Sequence, residues 1–399
     1  MNFLKINIKT ISFFLSVLLL TFCLEGTLGC LPAQAELDSW KDDTDSRQSI
    51  ISFVQKVTTS GEFFVEPKNR IAVFDNDGTL WAEKPHYFQE DFIKNGLSKL
   101  PESPSSKLIK SKVSKLLKMT EKELDQTGRY PISEEGKIFL SGIQVFSGIT
   151  TGEYNSLAYD FLENMIHSNF ADQDDGDYQR FNTPYIKLTY KPVIELVNYL
   201  KENDFKVYIC SGGGIYFVRS FSEQAYGIPP EKVMGSAIQT TYDEENKTDG
   251  PGGSLVLQQP EPCEITVEPN LFHSEITVEP KLFHNNDQEG KPVGIELFIG
   301  KRPLIAVGNS SGDLEMFKYA DSGVDKSLII LIKHDDCNRE YKYDDVVGSK
   351  HSEDGVLVPD NESLEEAQDH NNWIVVSMKN DFDTIFESNP SRTPPTCDD

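Results

Sequence analysis

Polar residues that can bind a cation or take part in catalysis follow a short apolar run early in the sequence. Asp75 and Asp77 stand two residues apart in the segment Asp75-Asn76-Asp77-Gly78-Thr79, directly after that run. Two carboxylates at this spacing on one loop can serve a cation and a reacting group together. The same residue types also form ordinary hydrogen-bonded turns, so the segment needs support from other parts of the chain.

Two later apolar runs are followed by groups that complement these carboxylates. Ser211 and the glycines 212–214 bring a hydroxyl and unobstructed backbone N–H groups to the start of a predicted helix, which suits an anion. Gly308 leads through Asn309 to a third carboxylate, Asp313, before another predicted helix. Because ligands bind at the carboxyl ends of parallel strands, these groups are expected to meet at one edge of a sheet.

Alternating strand and helix patterns must position these residues. Strands are predicted at 70–74, 205–210, 232–237, 303–307 and 327–332, and helices at 192–203, 215–225 and 314–319. This alternation is typical of an α/β fold, a parallel sheet with helices on both faces. The patterns between the first two strands are mainly helical and predict an inserted cap.

The predicted organisation has a core, a cap and a leader. Residues 36–88 and 190–399 form the core, residues 89–189 the helical cap, and residues 1–35 a signal peptide. Within the core, a hairpin or loop insertion at about 240–290 contains a short duplication, in which 264–273 is repeated at 275–284.

With these motifs in order, the chain resembles the haloacid dehalogenase superfamily, and the place of its cap is similar to that in the phosphoserine-phosphatase-like branch. The matching residues are Asp75, Asp77, Thr79, Ser211, Lys291 and Asp313. The resemblance covers nearly all of residues 70–335. It implies a Rossmann-like, doubly wound parallel sheet with an inserted cap, and a phosphohydrolase activity.

The resemblance implies roles that suit these residue types. Asp75 would be the nucleophile that forms an aspartyl phosphate, and Asp77 the general acid and base. The phosphate would be bound by Thr79, Ser211, Gly212 and Lys291. Mg²⁺ would be held by Asp75, the backbone carbonyl of Asp77, and Asp313. The expected substrates are small phosphomonoesters, including phosphoserine-like ones.

Several residues near these motifs have more than one interpretation. Lys291 precedes a predicted helix, as the lysine of the superfamily does, and is preferred to Lys301, which abuts a strand start and would lie at the wrong end of the sheet. Asn309 stands where many relatives carry a second acid. Glu83 and His334 are candidates for supporting roles at the site, and the alternative for His334 is a solvated loop.

The N-terminus and the overall charge restrict location and partners. An apolar stretch, 11–24, behind two lysines and before Ala33-Gln34-Ala35 predicts a secretory signal, so the protein is expected to be exported, with no membrane span after signal removal. Lipid attachment at Cys30, which would anchor the protein to a membrane surface, is the alternative. A net charge of −26 argues against nucleic acid as a partner. Four cysteines beyond the signal allow one disulfide bridge but no disulfide framework.

Two other functions compete with the phosphatase. One is hydrolysis of a carbon–halogen or carbon–phosphorus bond on the same scaffold. The other is a catalytically silent, exported binding protein that keeps the fold. Retention of Asp75, Asp77, Ser211, a lysine and Asp313 together argues against the silent protein.

Overall fold

A central sheet of seven strands organises the chain in the computed structural model. The structure describes residues 36–117, 138, 141–142, 145–170, 179–238, 240–249, 253–257, 282–323, 326–343, 349–351, 357–359 and 362–392. The predicted signal peptide and Cys30 lie outside these residues, as does most of the duplication. Residues from Leu37 onward form one unit by their contacts, and the division into core and cap remains a prediction.

The strands are β1 Ile71–Phe74, β2 Lys206–Gly214, β3 Val233–Ile238, β4 Thr240–Asp243, β5 Ser254–Leu257, β6 Leu282–His284, β7 Ile305–Gly308, β8 Leu328–Lys333, β9 Ser349–His351, β10 Leu357–Pro359 and β11 Trp373–Ser377. The order in the main sheet is β11-β8-β7-β1-β2-β3-β6. Six of these strands are parallel, and β6 pairs antiparallel with β3. The predicted α/β fold is therefore confirmed. Two small antiparallel sheets, β4–β5 and β9–β10, lie apart from it.

The helices are α1 Asp45–Thr58, α2 Phe88–Lys99, α3 Pro104–Leu117, α4 Thr151–Asn164, α5 Lys191–Glu202, α6 Ile215–Arg219, α7 Ser222–Tyr226, α8 Gly290–Phe298, α9 Leu314–Ala320, α10 Glu362–Asp369 and α11 Met378–Asp381. Helices α2, α3 and α4 lie in the predicted cap segment, residues 89–189. The capping box of Thr150 and Glu153 starts α4, since each side chain satisfies a backbone N–H of the other.

Strand β1 lies at the centre of the sheet, where the strand order reverses direction. All four of its residues are buried, as an uninterrupted apolar run requires of a strand covered on both faces. Phe74 stands opposite Ile209 of β2 and Val307 of β7, so the three polar segments of the sequence leave adjacent strands at the same edge. Such a switch point is where open α/β sheets bind ligands.

The structure differs from the sequence prediction in three places. The predicted helix at 215–225 is two short helices, α6 and α7, which are separated by Ser220 and Phe221. Strand β2 extends to Gly214, with irregular pairing to β3 between Cys210 and Gly214, so Ser211 lies within the strand rather than after it. Strands β6 and β11, at the two edges of the sheet, were not predicted.

An aromatic cluster joins the start of the predicted cap segment to the core. Trp81 stacks on Phe221 with ring centroids 4.3 Å apart, and it meets Phe88 of α2 edge-on at 4.7 Å. Trp81 and Phe88 are fully buried. Such contacts add to the free energy of apolar burial and hold α2 against the sheet edge.

Two cysteines of the described chain differ in their state. Cys337 is disulfide-bonded, whereas Cys210 is a free, buried thiol. Within the described part of the chain, none of the helices has the length and apolar character needed to cross a bilayer.

Candidate active site

The loop that follows β1 is shaped by its own backbone hydrogen bonds. The N–H groups of Thr79 and Leu80 both donate to the carbonyl of Asn76, at 3.2 and 2.8 Å, and the N–H of Asp75 donates to Val307 of β7 at 2.9 Å. Gly78 has a φ of +69°, and a Cβ there would lie 2.1 Å from Nδ2 of Asn309. Glycine is therefore required on both conformational and steric grounds.

A buried lysine bridges the first and third polar segments. Lys291 Nζ lies 2.7 Å from Asp75 Oδ1 and 2.6 Å from Asp313 Oδ1, and all three side chains are at most 5% exposed. Lys301, in contrast, donates to Asn69 Oδ1 at 2.8 Å, before the start of β1. Of the two candidate lysines, Lys291 lies at the site and Lys301 at the opposite end of the sheet.

Asp313 also holds the loop that leaves β7. Its Oδ2 accepts from the backbone N–H groups of Asn309 and Ser310, at 3.0 and 3.1 Å. With Lys291 on Oδ1, both oxygens of Asp313 are engaged. This carboxylate therefore fixes the β7 loop relative to the lysine.

Asp75 and Asp77 both have raised pKa values. Burial, and next the charge of Asp313, raise the pKa of Asp75 well above its ordinary value, although Lys291 opposes this. Burial raises the pKa of Asp77 to about 6, against the hydrogen bond that its Oδ1 accepts from Trp81 Nε1 at 2.8 Å. Asp77 can therefore both donate and accept a proton near neutral pH, as a general acid and base must.

Thr79, Asn309 and Glu83 form a chain of hydrogen bonds beside these acids. Thr79 Oγ1 donates to Asn309 Oδ1 at 3.2 Å, and Asn309 Nδ2 donates to Glu83 Oε1 at 3.3 Å. All three residues are buried. Thr79 is predicted to bind phosphate, but in the structure its hydroxyl donates to Asn309.

The glycine segment of β2 is held from several sides. Gly213 N–H donates to Ser211 Oγ at 3.0 Å, and Gly214 N–H donates to Gln89 Oε1 at 2.9 Å. Ser236 Oγ donates to the carbonyl of Gly212 at 2.7 Å. Gln89 was not among the predicted site residues, because a single glutamine on a helix carries no signal in the sequence.

His334 is buried beneath the β1 loop and does not lie in a solvated loop. Its Nε2 lies 2.7 Å from the carbonyl oxygen of Gly78, which can only accept, so Nε2 carries a hydrogen. Its Nδ1 lies 3.0 Å from Glu340 Oε2, and Glu340 Oε1 accepts from the hydroxyl of Tyr190 at 3.0 Å. The imidazole thus anchors the loop that carries both catalytic candidates.

A His334→Gln variant is expected to lower the free energy of unfolding by about 1–3 kcal/mol, because the amide can donate to Gly78 but leaves buried Glu340 without its contact to Nδ1. Urea unfolding at neutral pH measures this. His370→Gln is the matched control, because His370 also faces carboxylates but is 34% exposed, and its loss should cost less than about 1 kcal/mol. Equal effects of the two variants would contradict the anchoring role.

The donor set of the site fits a hard divalent cation such as Mg²⁺. Mg²⁺ is bound through one or two carboxylates, waters and substrate phosphate rather than by an all-protein cage. In the part of the chain that the structure describes, no three histidine, cysteine, aspartate or glutamate side chains converge to hold a metal alone. Four buried acids, Asp75, Asp77, Glu83 and Asp313, nevertheless outnumber Lys291 at this site, and after burial the charge of Asp313 is the next cause that raises the pKa of Asp75. A cation would relieve that excess.

Comparison with known proteins gives matches of fold only. No family model matches the sequence, and no curated protein matches it. Among solved structures, a functionally unknown protein from Anaerococcus prevotii is 15% identical, with 73% of this chain and 86% of that chain covered and a TM-score of 0.44. Cytosolic 5'-nucleotidase IIIB bound to cytidine is 15% identical, covers 87% of this chain and 90% of its own, and has a TM-score of 0.37.

A phosphoserine phosphohydrolase-like protein from Francisella tularensis is also 15% identical, with 66% of this chain and 88% of that chain covered and a TM-score of 0.33.

Proposed function

We propose that this protein is an exported, Mg²⁺-dependent phosphatase that hydrolyses small phosphomonoesters through an aspartyl phosphate on Asp75. The observation that carries the proposal is the bridge from Lys291 Nζ to Asp75 and Asp313, next to the protonatable Asp77. Phosphoryl transfer needs charge neutralisation and positioning more than it needs any other catalysis, and this arrangement supplies both.

The residues divide the reaction into two steps. A carboxylate oxygen of Asp75 attacks phosphorus, the bond to the leaving oxygen breaks, and Asp77 gives its proton to that oxygen. A water then attacks the aspartyl phosphate while Asp77 takes up a proton, which releases inorganic phosphate and restores Asp75. Ser211, Gly212 and Lys291 would orient the phosphate oxygens, whereas the hydroxyl of Thr79 donates to Asn309.

Mg²⁺ would be held by Asp75, the backbone carbonyl of Asp77, and Asp313. When bound, it neutralises charge on the phosphate oxygens. Asp313 already accepts from Lys291 and from two backbone N–H groups, so it serves this site also as the carboxylate that keeps the lysine in place.

The predicted leader supports export, and so does the disulfide bond of Cys337, since disulfides persist in oxidising compartments. The predicted cap segment would restrict access to small substrates. The net charge of −26 repels phosphate esters at long range, so binding would depend on the local positive groups.

Phosphate release tests the proposal directly. The purified protein is incubated with Mg²⁺ and a panel of small phosphomonoesters, including phosphoserine and glycerol phosphate, and again with a chelator in excess. We expect release with Mg²⁺ and a loss of at least about 100-fold on chelation. Absence of release from every ester in the panel, with Mg²⁺ present, would overturn the proposal.

The rate is expected to fall as pH rises above about 6. The leaving oxygen needs the proton of Asp77, and the pKa of that group is raised to about 6, so the protonated fraction declines through this range. The profile of kcat/KM between pH 4.5 and 8.5, at saturating Mg²⁺, measures the effect.

Asp77→Asn provides the control for this pH limb. The variant should not show the fall of kcat/KM above about pH 6, and it should hydrolyse glycerol phosphate about 10²–10⁴-fold more slowly than the wild-type protein. It should slow p-nitrophenyl phosphate less, because p-nitrophenolate leaves without a proton. Equal losses on the two esters would show that Asp77 is not the acid.

A further inference from the structure

The side chain of Gln89 connects the predicted cap segment to the glycine segment of β2. We infer that Gln89 is a positioning residue, which holds residues 211–214 in the shape that binds a phosphate oxyanion. The inference rests on the proposed function for the identity of the anion. It adds a residue from α2 to a site otherwise built by the sheet.

Gln89 lies among the candidate catalytic groups. It is 6% exposed, and its Oε1 accepts from Gly214 N–H at 2.9 Å. A Cβ at Gly213 would lie 3.1 Å from this Oε1, 3.3 Å from Ser211 Oγ and 3.8 Å from Asp77 Oδ2. The amide oxygen of Gln89 therefore borders the same small space as the hydroxyl of Ser211 and the carboxyl of Asp77.

The other end of the Gln89 amide is fixed by helix α4. Because Oε1 accepts from Gly214, the NH₂ group faces the opposite way, and Gln89 acts on the side chain of Tyr154, whose pKa it lowers against the effect of burial. Tyr154 is buried, and that burial raises the pKa of its hydroxyl, which stays neutral. The segment is thus linked through Gln89 to two helices of the predicted cap.

The three glycines at 212–214 need hydrogen bonds from other residues to fix their backbone, because they carry no side chains that could do so. Glycine amides turn freely, and the pairing of β2 with β3 is irregular between Cys210 and Gly214. The sheet side holds the carbonyls, since Ser236 bonds to Gly212 and Asn286 Nδ2 donates to the carbonyl of Ser211 at 2.9 Å. Gln89 holds the amide of Gly214 from the other side.

This arrangement also sets the direction of the hydroxyl of Ser211. Its oxygen accepts from Gly213 N–H at 3.0 Å, so its hydrogen is left to donate elsewhere. With the segment fixed, that hydrogen is available to a phosphate oxygen. If Gln89 were absent, Gly214 N–H would be free to turn and the geometry around Ser211 would loosen.

Three variants test the inference: Gln89→Ala, Gln89→Glu and the control Gln48→Ala, which changes an exposed glutamine on α1. Hydrogen exchange of a peptide spanning 206–219 reports the amide of Gly214, and calorimetric titration with inorganic phosphate, in the presence of Mg²⁺, reports the anion site. The control should match the wild-type protein in both measurements.

Gln89→Ala is expected to speed exchange in this peptide and to weaken phosphate binding about tenfold, as loss of one buried hydrogen bond does. Gln89→Glu keeps an acceptor, so exchange should stay slow, but its negative charge beside the anion should weaken phosphate binding further than alanine does. A residue that merely supports the fold would not separate the two readouts in this way.

Two results would overturn the inference. One is exchange in Gln89→Ala at the wild-type rate, and the other is phosphate binding by Gln89→Glu at the wild-type affinity. If the wild-type protein neither binds phosphate nor releases it from any ester, the proposed function is wrong, and the exchange rate of Gln89→Ala still decides whether Gln89 holds the segment.

Discussion

An Asp75→Asn variant is expected to release phosphate at least about 10⁴-fold more slowly than the wild-type protein, because an amide cannot attack phosphorus as the carboxylate does. The substitution is nearly isosteric and leaves Lys291 with its second carboxylate, Asp313. Steady-state release from glycerol phosphate, and mass spectrometry of the trapped aspartyl phosphate, measure the loss. Activity within tenfold of the wild-type protein would contradict a nucleophilic role.

The stability of the same variant should separate a functional from a structural role. Burial and Asp313 raise the pKa of Asp75, so its charged form is costly in the folded state. A group with a raised acid pKa stabilises the fold at low pH and loses that contribution as pH rises through the folded pKa. At pH 7.5, without added metal, Asp75→Asn should therefore unfold at the same temperature as the wild-type protein or higher. Asp160→Asn, at an exposed position on α4, should retain full activity.

Lys291→Met is expected to lower the free energy of unfolding by about 3–5 kcal/mol and to abolish measurable activity. The substitution keeps most of the apolar stem but removes the cation between Asp75 and Asp313, which leaves two buried carboxylates without the positive charge that lies between them. Urea unfolding of the metal-free protein gives the stability change. The same preparation gives the activity after Mg²⁺ is restored.

The pH dependence of the stability loss and a control substitution at a second lysine test this prediction further. Lys291 lowers the pKa of Asp75, so without the cation Asp75 retains its proton more strongly, and the loss of stability should be small near pH 5 and grow towards pH 8. Lys301→Met is the control, since Lys301 is exposed and lies at the opposite end of the sheet. It should cost less than about 1 kcal/mol. A pH-independent deficit, or one shared by both lysines, would contradict the bridging role.

The central part of the fold was predictable because its strands are covered on both faces. The apolar run of β1 was predicted at 70–74 and is found at 71–74, and the carboxyl ends of β1 and β7 lie where the motifs required. Edge strands carry a weaker signal. Strand β11, 373–377, has exposed and half-exposed residues among buried ones, and β6 is three residues long. Their pairing depends on the neighbour more than on their own pattern.

Site residues that belong to a short sequence motif could be predicted, whereas residues that join the site through contacts distant in sequence could not. Lys291 could be chosen over Lys301 because it precedes a predicted helix, as the lysine of the superfamily does, whereas Lys301 abuts the start of a strand and so lies at the other end of the sheet. Gln89 and the full burial of His334 could not be inferred, because each depends on partners distant in sequence. His334 meets Gly78 across 256 residues, and Gln89 meets Gly214 across 125.

The central place of β1 has a consequence for the order of assembly during synthesis. Its two neighbours in the sheet begin at about residues 206 and 305, and Lys291 reaches Asp75 across 216 residues. Long-range parallel pairing of this kind is slow, because chain entropy is lost before contacts are gained. Strand β1 therefore waits for its first neighbour, β2, until residue 214 has been made, and for its second, β7, until residue 308 has been made. Nascent chains that end before residue 313 lack the third carboxylate, so the acid-rich centre cannot be completed before that point of synthesis.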